Sequence, residues 1–325
     1  MGDNLTKALE NITKKHGKGS VLSGDERIEI ERIPTGSLGL DIITGGGYPL
    51  GRFVEVYAPE SSGKTTISIH GMIQAQKKYP NKRVAIIDAE HAFDRNYAEA
   101  LGLKMDEILI VQPSSGEEGL DIAEELIESG EISMIVIDSI AALTPKKEID
   151  GEIGDSVLGL HARLMSQACR KLTSKANNTK TVVYWTNQLR EKIGVMYGSP
   201  EVTSGGNAMK FYASIRIDLR KKKGTELDDD GDIVNSKVTA KTVKNKTFPP
   251  FRSCEFDITF GKGIDIYSEI VYYGVKYGVI EKAGSWYSYG DVKLGQGSNG
   301  VKETLRDNPE LTEELENKIK AYYKL

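Results

Sequence analysis

Cysteine is scarce in this 325-residue chain: Cys169 and Cys254 are the two present. Two thiols so far apart make neither a disulfide scaffold nor metal-ligand spacing, and a reducing cytoplasm is the expected setting. Histidine is scarce too. His16, His70, His91 and His161 are scattered, which argues against a structural metal. No apolar run approaches the ~18 residues of a membrane span, so no membrane partner is expected. The opening Met1-Gly2-Asp3-Asn4-Leu5-Thr6 leads into no hydrophobic core and does not read as a signal peptide. A basic excess is also missing. At a net charge of −4, any nucleic-acid site must be local. What remains is 39% hydrophobic and 28% charged, a soluble globular composition long enough for one large domain and an appendage.

The most informative stretch is Ala58-Pro59-Glu60-Ser61-Ser62-Gly63-Lys64-Thr65-Thr66. The apolar run Phe53-Val54-Glu55-Val56-Tyr57 precedes it, and a helical pattern from Thr66 to Ile73 follows. Strand, Gly-Lys-Thr loop and helix are the context of a phosphate-binding loop. Loop and helix amides point at one spot, and the helix dipole favours negative charge there. Lys64 suits the β- and γ-phosphates, and Thr65 suits Mg²⁺. The usual first glycine is Ala58 here. Alanine tolerates φ > 0 less well than glycine, so a slightly different loop start is expected. An ordinary strand-to-helix turn is the competing reading.

Residues 1 to 16 read as a helix with Leu5, Leu9 and Ile12 on one face, and Arg27 to Ile30 as a short strand-like piece. Either a docking arm or a helix packed on its own core fits that pattern. From Ile33, short apolar runs end at Asp88, Val111, Asp138 and Trp185 and alternate with helical patterns. That alternation predicts a mostly parallel sheet with helices on both faces. Residues 211 to 260 alternate instead and predict an antiparallel extension by hairpins. Residues 264 to 325 read as a small α/β appendage. The resulting division is an arm over 1–32, a core over 33–263 and a small C-terminal domain over 264–325.

Several polar residues stand where chemistry is expected. Asp138 ends an apolar strand at the rim the phosphate loop shares, a position for Mg²⁺; a strand-end Asp can equally cap the next helix. Asp88-Ala89-Glu90 also ends a strand. Glu90 suits a water-orienting role if its strand neighbours the phosphate-loop strand, and is otherwise a turn carboxylate. Asn187-Gln188 follows the strand ending at Thr186, and its amide suits either γ-phosphate sensing or plain loop polarity. Arg163, Ser166 and Arg170 lie at i, i+3, i+7 on a helix over 156–176, a stripe for phosphates or a solvated face. Leu189 to Gly206 mixes Arg190, Lys192, Ile193, Met196 and Tyr197 with Gly205 and Gly206. That mixture suits a single strand of nucleic acid or a mobile surface loop. Lys244 and Lys246 share one face of a strand end.

Taken together and in order, these pieces resemble the bacterial RecA recombinase family. The resemblance is carried by Pro59 to Thr66, Ile87 to Ala92, Asp138 to Lys146, Gly151 to Ser156, Lys192 to Gly198, Gly205 to Ser214, Val243 to Lys246 and Ile280 to Tyr289. It covers nearly the whole chain. It implies a RecA-type P-loop ATPase core with an N-terminal helix-strand arm and a small α/β C-terminal domain. It also implies a helical homo-oligomeric filament on single-stranded DNA, ATP held with Mg²⁺ between subunits, and strand exchange in recombinational repair.

Residue by residue, the resemblance gives nucleotide contacts to Glu60, Ser61, Ser62, Gly63, Lys64, Thr65 and Thr66. Asp94 and Tyr97 fall to the adenine, Thr65 and Asp138 to the metal, Glu90 to water activation and Gln188 to γ-phosphate sensing. Lys244 and Lys246 match a pair that reaches the neighbour's nucleotide. Glu152 to Gly159 matches the first DNA loop and Leu189 to Ser204 the second, with Ile193 wedged between base triplets. Arg163, Ser166, Arg170, Gly205 and Gly206 match backbone contacts. Double-stranded DNA and a LexA-type repressor are further implied partners.

The chain departs from the family at Ala58, at Tyr197 where many members carry Phe, and at Thr239 where a basic residue of the secondary DNA site is expected. Lys221 and Lys241 remain there. The acidic tail of many members is missing. Two other readings stay open from sequence: a different ATPase on the same core, such as a ring helicase or clock-type ATPase, and a DNA-binding scaffold whose hydrolysis Ala58 has impaired.

Overall fold

The computed structural model describes residues 3–17, 20–21, 29–152, 159–191, 201–223, 227, 231 and 233–323. It forms two units, 1–31 and 32–325. The described part of the first is a helix, α1 (Asp3–His16), with basic residues in its last turn that complement the helix dipole. Of the strand-like piece expected over 27–30, residues 27–28 lie outside the described residues and Glu29 and Ile30 are not in a strand.

The second unit opens with a two-stranded ribbon, β1 (Arg32–Ile33) and β2 (Tyr48–Pro49), around α2 (Leu38–Thr44). Ser37 caps α2, and Gly45 at φ 86 ends it with the left-handed turn that favours glycine. Alternating strands and helices follow: β3 (Phe53–Ala58), α3 (Lys64–Lys78), β4 (Arg83–Asp88), α4 (Arg95–Ala100), β5 (Ile108–Val111), α5 (Gly116–Glu128), β6 (Ile132–Asp138), α6 (Lys146–Ile149), α7 (Leu160–Thr179) and β7 (Val182–Glu191). Next come β8 (Glu201–Thr203), α8 (Ala208–Tyr212), β9 (Ile215–Lys223), β10 (Asn235–Asn245), β11 (Ser253–Thr259) and β12 (Gly263–Ile264). Helix α7 starts at Leu160, later than the 156 read from sequence.

Among the described residues these strands form one ten-stranded sheet, ordered β12-β11-β10-β9-β3-β7-β6-β4-β5, with β8 paired to β7. Pairing is parallel from β9 through β3, β7, β6 and β4 to β5. Strand β9 was expected in the antiparallel extension, yet it joins β3 in parallel; the antiparallel part starts at the β9–β10 pair. The apolar runs are continuous because both faces are covered. One face packs Val54, Val56, Val84, Ile86 and Val136 against α3. The other packs Ile87, Ile135, Ile137 and Trp185 under α5 and α7.

The C-terminal part comprises α9 (Ile266–Lys276), β13 (Glu281–Ala283), β14 (Trp286–Tyr289), β15 (Val292–Gln296), α10 (Gly297–Asp307) and α11 (Pro309–Tyr322). Its core, including Ile270, Tyr273, Val301 and Leu315, is continuous with Leu38 and Ile42 of α2. Buried Glu269 of α9 fastens the junction. Its carboxylate accepts from Ser37 Oγ at 2.8 Å and from the Leu38 and Gly39 amides at 3.1 and 2.7 Å. Among the described residues, no helix is long and apolar enough to cross a membrane.

Candidate nucleotide site and nucleic-acid face

The carboxyl ends of β3, β7, β6 and β4 lie side by side, with Ala58 opposite Gln188 and Asp88 opposite Asp138. Ligands of open α/β sheets bind outside this edge. A cavity of about 630 Å³ opens there, between the phosphate loop and the β10–β11 side of the sheet. Glu60, Ser61, Ser62, Gly63, Lys64, Thr65, Thr66, Glu90, Tyr97, Asp138 and Gln188 all line it.

Ala58 is accommodated as a strand residue. It ends β3 with ordinary strand pairing, its methyl is fully buried, and its φ is not positive. Left-handed backbone occurs further on, at Ser61 (φ 53) and Gly63 (φ 87). The first loop position thus requires no glycine freedom in this chain. Gly63 caps α3 without a side chain, so its first-turn amides have no side-chain cap.

Lys64 turns its ammonium onto the loop's own carbonyls, Pro59 O at 2.9 Å and Ala58 O at 3.4 Å. Burial lowers its pKa, while Asp138, Glu90 and Glu60 oppose that shift. Thr65 Oγ1 donates to Asp138 Oδ2 at 2.9 Å, and Thr186 Oγ1 donates to Asp138 Oδ1 at 2.6 Å. Burial pushes the Asp138 carboxyl up, against those two donors. A carboxylate and a hydroxyl in contact at a helix N-terminus are a hard-oxygen set, which fits Mg²⁺. The lysine and uncapped amides beside them fit phosphates.

Strand β4 does not neighbour β3, since β7 and β6 lie between them. The strand adjacency set as a condition for Glu90 is therefore not met, but Glu90 reaches the cavity because the chain turns at Ala89, whose N–H donates to Asp138 O at 2.8 Å. Glu90 Oε1 accepts from Gln188 Nε2 at 3.0 Å and from Ser139 Oγ. Thr66 Oγ1 and Tyr97 OH are 3.0 Å apart. Asp94 is the N-cap of α4, accepting from the Tyr97 amide at 3.0 Å, and lies outside the cavity lining.

Sequence reasoning missed part of this site. Ser139 was visible beside Asp138, and Thr186 beside Asn187, but neither has a distinctive pattern. Ile258, Phe260 and Gly261 form the far wall, with Lys221 above the Phe260 ring at 5.9 Å. Lys221 was grouped with Lys241 by the resemblance. In the β9–β10 register Lys221 opposes buried Val238 while Lys241 opposes Asp218, so the two lysines face opposite sides of the sheet. Thr239 shares the Lys241 side and donates to Glu255 at 3.0 Å.

The other expected residues lie away from the cavity. Arg163 and Arg170 are exposed on α7, and half-buried Ser166 between them donates to Ala162 O at 2.8 Å. Gly205 and Gly206 (φ 81 and 72) pass close to this helix: an added Cβ on Gly205 would meet Met165 of α7 at 3.2 Å and Ile140, in the turn after β6, at 2.8 Å, and one on Gly206 would meet Ala162 of α7 at 3.0 Å. Gly206 is exposed beside Ala162, one residue before Arg163, whereas Gly205 is buried against Met165. Arg190 closes the base of the second loop, donating to Ser204 Oγ at 3.1 Å. Lys192, Ile193, Met196 and Tyr197 lie outside the described residues, as do 153–158 of the first loop. Lys244 Nζ donates to Lys210 O at 2.6 Å and Phe211 O at 3.1 Å, and Lys246 Nζ to Phe211 O at 3.3 Å.

A phosphate loop at the switch edge of this sheet, with acidic residues on the neighbouring strand ends, defines a P-loop ATPase of the α/β class. Residues 3–265 match the RecA N-terminal domain model and 268–324 the RecA C-terminal domain model. Protein RecA of Porphyromonas gingivalis is 55% identical over 319 residues, covering 97% of this chain and 93% of that protein. Protein RecA of Bacteroides thetaiotaomicron is 56% identical, covering 97% and 95%, and that of Caulobacter vibrioides 52%, covering 97% and 88%. The chain belongs to the RecA family.

Proposed function

We propose that this chain is a DNA-dependent ATPase that assembles as a filament on single-stranded DNA and carries out homologous pairing and strand exchange in DNA repair. One observation carries the reading. Gln188 touches Glu90 in the nucleotide cavity, and the same strand runs on to Arg190 at the base of the second loop. A change at the nucleotide is thus two residues from a change at DNA.

In this reading Lys64 and the amides of 60–66 hold the phosphates of ATP. Thr65 and Asp138 would hold Mg²⁺, which would supply charge neutralisation at the phosphates. Tyr97 stacks near the base with Asp94 behind it, Glu90 orients the attacking water, and Gln188 senses the γ-phosphate. Lys244 and Lys246 serve the neighbouring subunit's nucleotide. Arg163, Ser166, Arg170, Arg190, Gly205 and Gly206 contact the DNA backbone with the 192–197 loop; phosphate contacts without base readout leave homology to base pairing. Duplex DNA and a LexA-type repressor are the further partners, and the cytoplasm is the site of action. The division into an arm over 1–32, a core over 33–263 and a C-terminal domain over 264–325 belongs to the same reading.

The test is ATP turnover with and without single-stranded DNA, joined to strand exchange by wild type and Lys64→Ala. Stimulated turnover, with exchange lost in Lys64→Ala, is the expected result. Turnover indifferent to DNA would sink the reading.

A further inference from the structure

Glu55 is a carboxylate with no exposed surface in the middle of the central strand, β3. Its neighbours along the strand, Val54 and Val56, are apolar and buried. Burying a charge there is costly, and a well-packed apolar side chain commonly serves stability as well or better. Packing alone therefore does not account for it.

Both Glu55 oxygens are engaged. Oε1 accepts from Asn187 Nδ2 at 2.9 Å, and Oε2 accepts from Arg216 Nε in an ion pair. Asn187, also fully buried, has two further bonds: Nδ2 donates to Ser204 O at 3.1 Å, and Oδ1 accepts from the Gln188 amide at 2.9 Å. Its amide thus ties the backbone of Gln188 to the far end of the second loop. Arg216 lies over the Tyr57 ring at 5.0 Å. In register, Arg216 stands opposite Glu55 on one side and Lys244 on the other. A row of polar side chains therefore crosses four adjacent strands, Asn187 on β7, Glu55 on β3, Arg216 on β9 and Lys244 on β10.

We propose that Asn187, Glu55 and Arg216 are positioning residues that couple the Glu90–Gln188 nucleotide site of one subunit to the Lys244–Lys246 pair it presents to the next. This rests on the ATPase reading above, in which Gln188 senses the γ-phosphate and the lysines serve a neighbour. A shift of the Gln188 backbone turns the Asn187 amide, which changes what Glu55 receives and hence where Arg216 sits. Arg216 in turn sets the field at Lys244. The charged groups acting there are Lys246 on the same strand, Arg216 on β9 and Glu55 on β3, and burial with the first two pushes the Lys244 ammonium down to about 8. Carbonyls of α8 hold Lys244 from the remaining side.

The test measures ATP turnover of the full chain with and without a poly-dT oligonucleotide, over pH values on both sides of 8. Glu55→Gln and Arg216→Gln each lower DNA stimulation roughly tenfold, in the range of coupling between sites. Each also lowers the Hill coefficient for ATP, while ATP affinity without DNA stays at the wild-type value. The alkaline limb then moves in opposite directions. Arg216→Gln removes a cation beside Lys244 and shifts it to higher pH; Glu55→Gln removes an anion and shifts it to lower pH. The opposite shifts report the field at Lys244, and the losses of DNA stimulation and Hill coefficient report the coupling. If Arg216→Gln does not fold, Asn187→Ser carries the test, lowering stimulation and leaving the limb in place. Wild-type stimulation and Hill coefficient in Glu55→Gln or Asn187→Ser would overturn the coupling. Absence of DNA stimulation in the wild type would instead overturn the ATPase reading.

Discussion

Gln188 donates its side-chain amide to Glu90 at 3.0 Å, and the same Glu90 oxygen accepts from Ser139. The residue proposed to orient water is thus pinned by two donors, one of them on the strand that leads to DNA. Removing the other donor should loosen it. Ser139→Ala is expected to raise DNA-independent turnover by roughly threefold to tenfold, the scale of the net contribution of one ordinary hydrogen bond. Gln188→Ala removes holder and sensor together, so its rates with and without DNA should converge. Steady-state turnover of both variants decides this; a fall in the DNA-independent rate of Ser139→Ala speaks against it.

Ala58 tests whether a missing loop glycine matters. Its methyl is buried and its backbone is that of a strand. Ala58→Gly should therefore cost about 1 kcal/mol of stability, from lost apolar burial and added chain entropy. ATP affinity should stay within about twofold, or about 0.4 kcal/mol, since the left-handed positions of the loop are Ser61 and Gly63, not Ala58. Urea unfolding and a nucleotide titration on the same preparation separate the two effects.

Local pattern made much of this molecule legible. The parallel strands show as apolar runs because helices cover both faces, and the phosphate loop shows because its chemistry needs consecutive residues. Features assembled across the sheet did not show. Glu55 looks like one polar interruption in Phe53–Tyr57; its partners are 132 and 161 positions away. Lys221 looks like part of a basic tract, but strand alternation turns it towards the nucleotide cavity. Glu90 illustrates the reverse case. Two strands separate its own from the phosphate-loop strand, yet a turn of two residues brings it to the same cavity.

Glu269 makes stability depend on pH. Burial pushes its carboxyl from 4.5 up to about 8 in spite of three donors, and Asp41 nearby is pushed from 3.8 up to about 6. Folded values above unfolded values mean that the associated stability is complete at low pH. It is lost as pH rises through the window from about 4 to about 8. The slope is at most about 1.4 kcal/mol per pH unit for each group. In Glu269→Gln the loss above pH 6, beyond the Asp41 range, should largely disappear. Urea midpoints measured at intervals from pH 5 to about 8 would show it; an equal slope in both proteins contradicts the assignment.

Lys244 sets a second pH limit, on turnover rather than folding. Its ammonium is held down to about 8 by burial, with Lys246 and Arg216 adding to the effect. Above that pH the charge lent to the neighbouring nucleotide is lost, and DNA-stimulated turnover should decline. An arginine keeps its charge throughout. Lys244→Arg should therefore flatten the alkaline limb, even if its longer fork lowers the plateau. A limb that stays at its original pH in Lys244→Arg assigns the titration to another group.

The arginine stripe and the glycine pair make different demands of DNA, and salt distinguishes them. Arg163 and Arg170 are exposed, so their expected contribution is charge. Each of Arg163→Ala and Arg170→Ala should lower the slope of log affinity against log salt by about 0.7, the value for one phosphate contact on a single strand. Gly205 contributes shape instead. Its φ of 81 suits glycine, and an added Cβ would meet Ile140 Cγ2 at 2.8 Å and Met165 Cγ of α7 at 3.2 Å. Gly205→Ala should move the loop off α7 and weaken DNA binding by about tenfold or more, while leaving the salt slope unchanged. Titrations of a fluorescent oligonucleotide at several salt concentrations measure both quantities at once. An unchanged slope in both arginine variants removes them from the DNA surface, and unchanged affinity in Gly205→Ala removes the close approach to α7 from the account of binding.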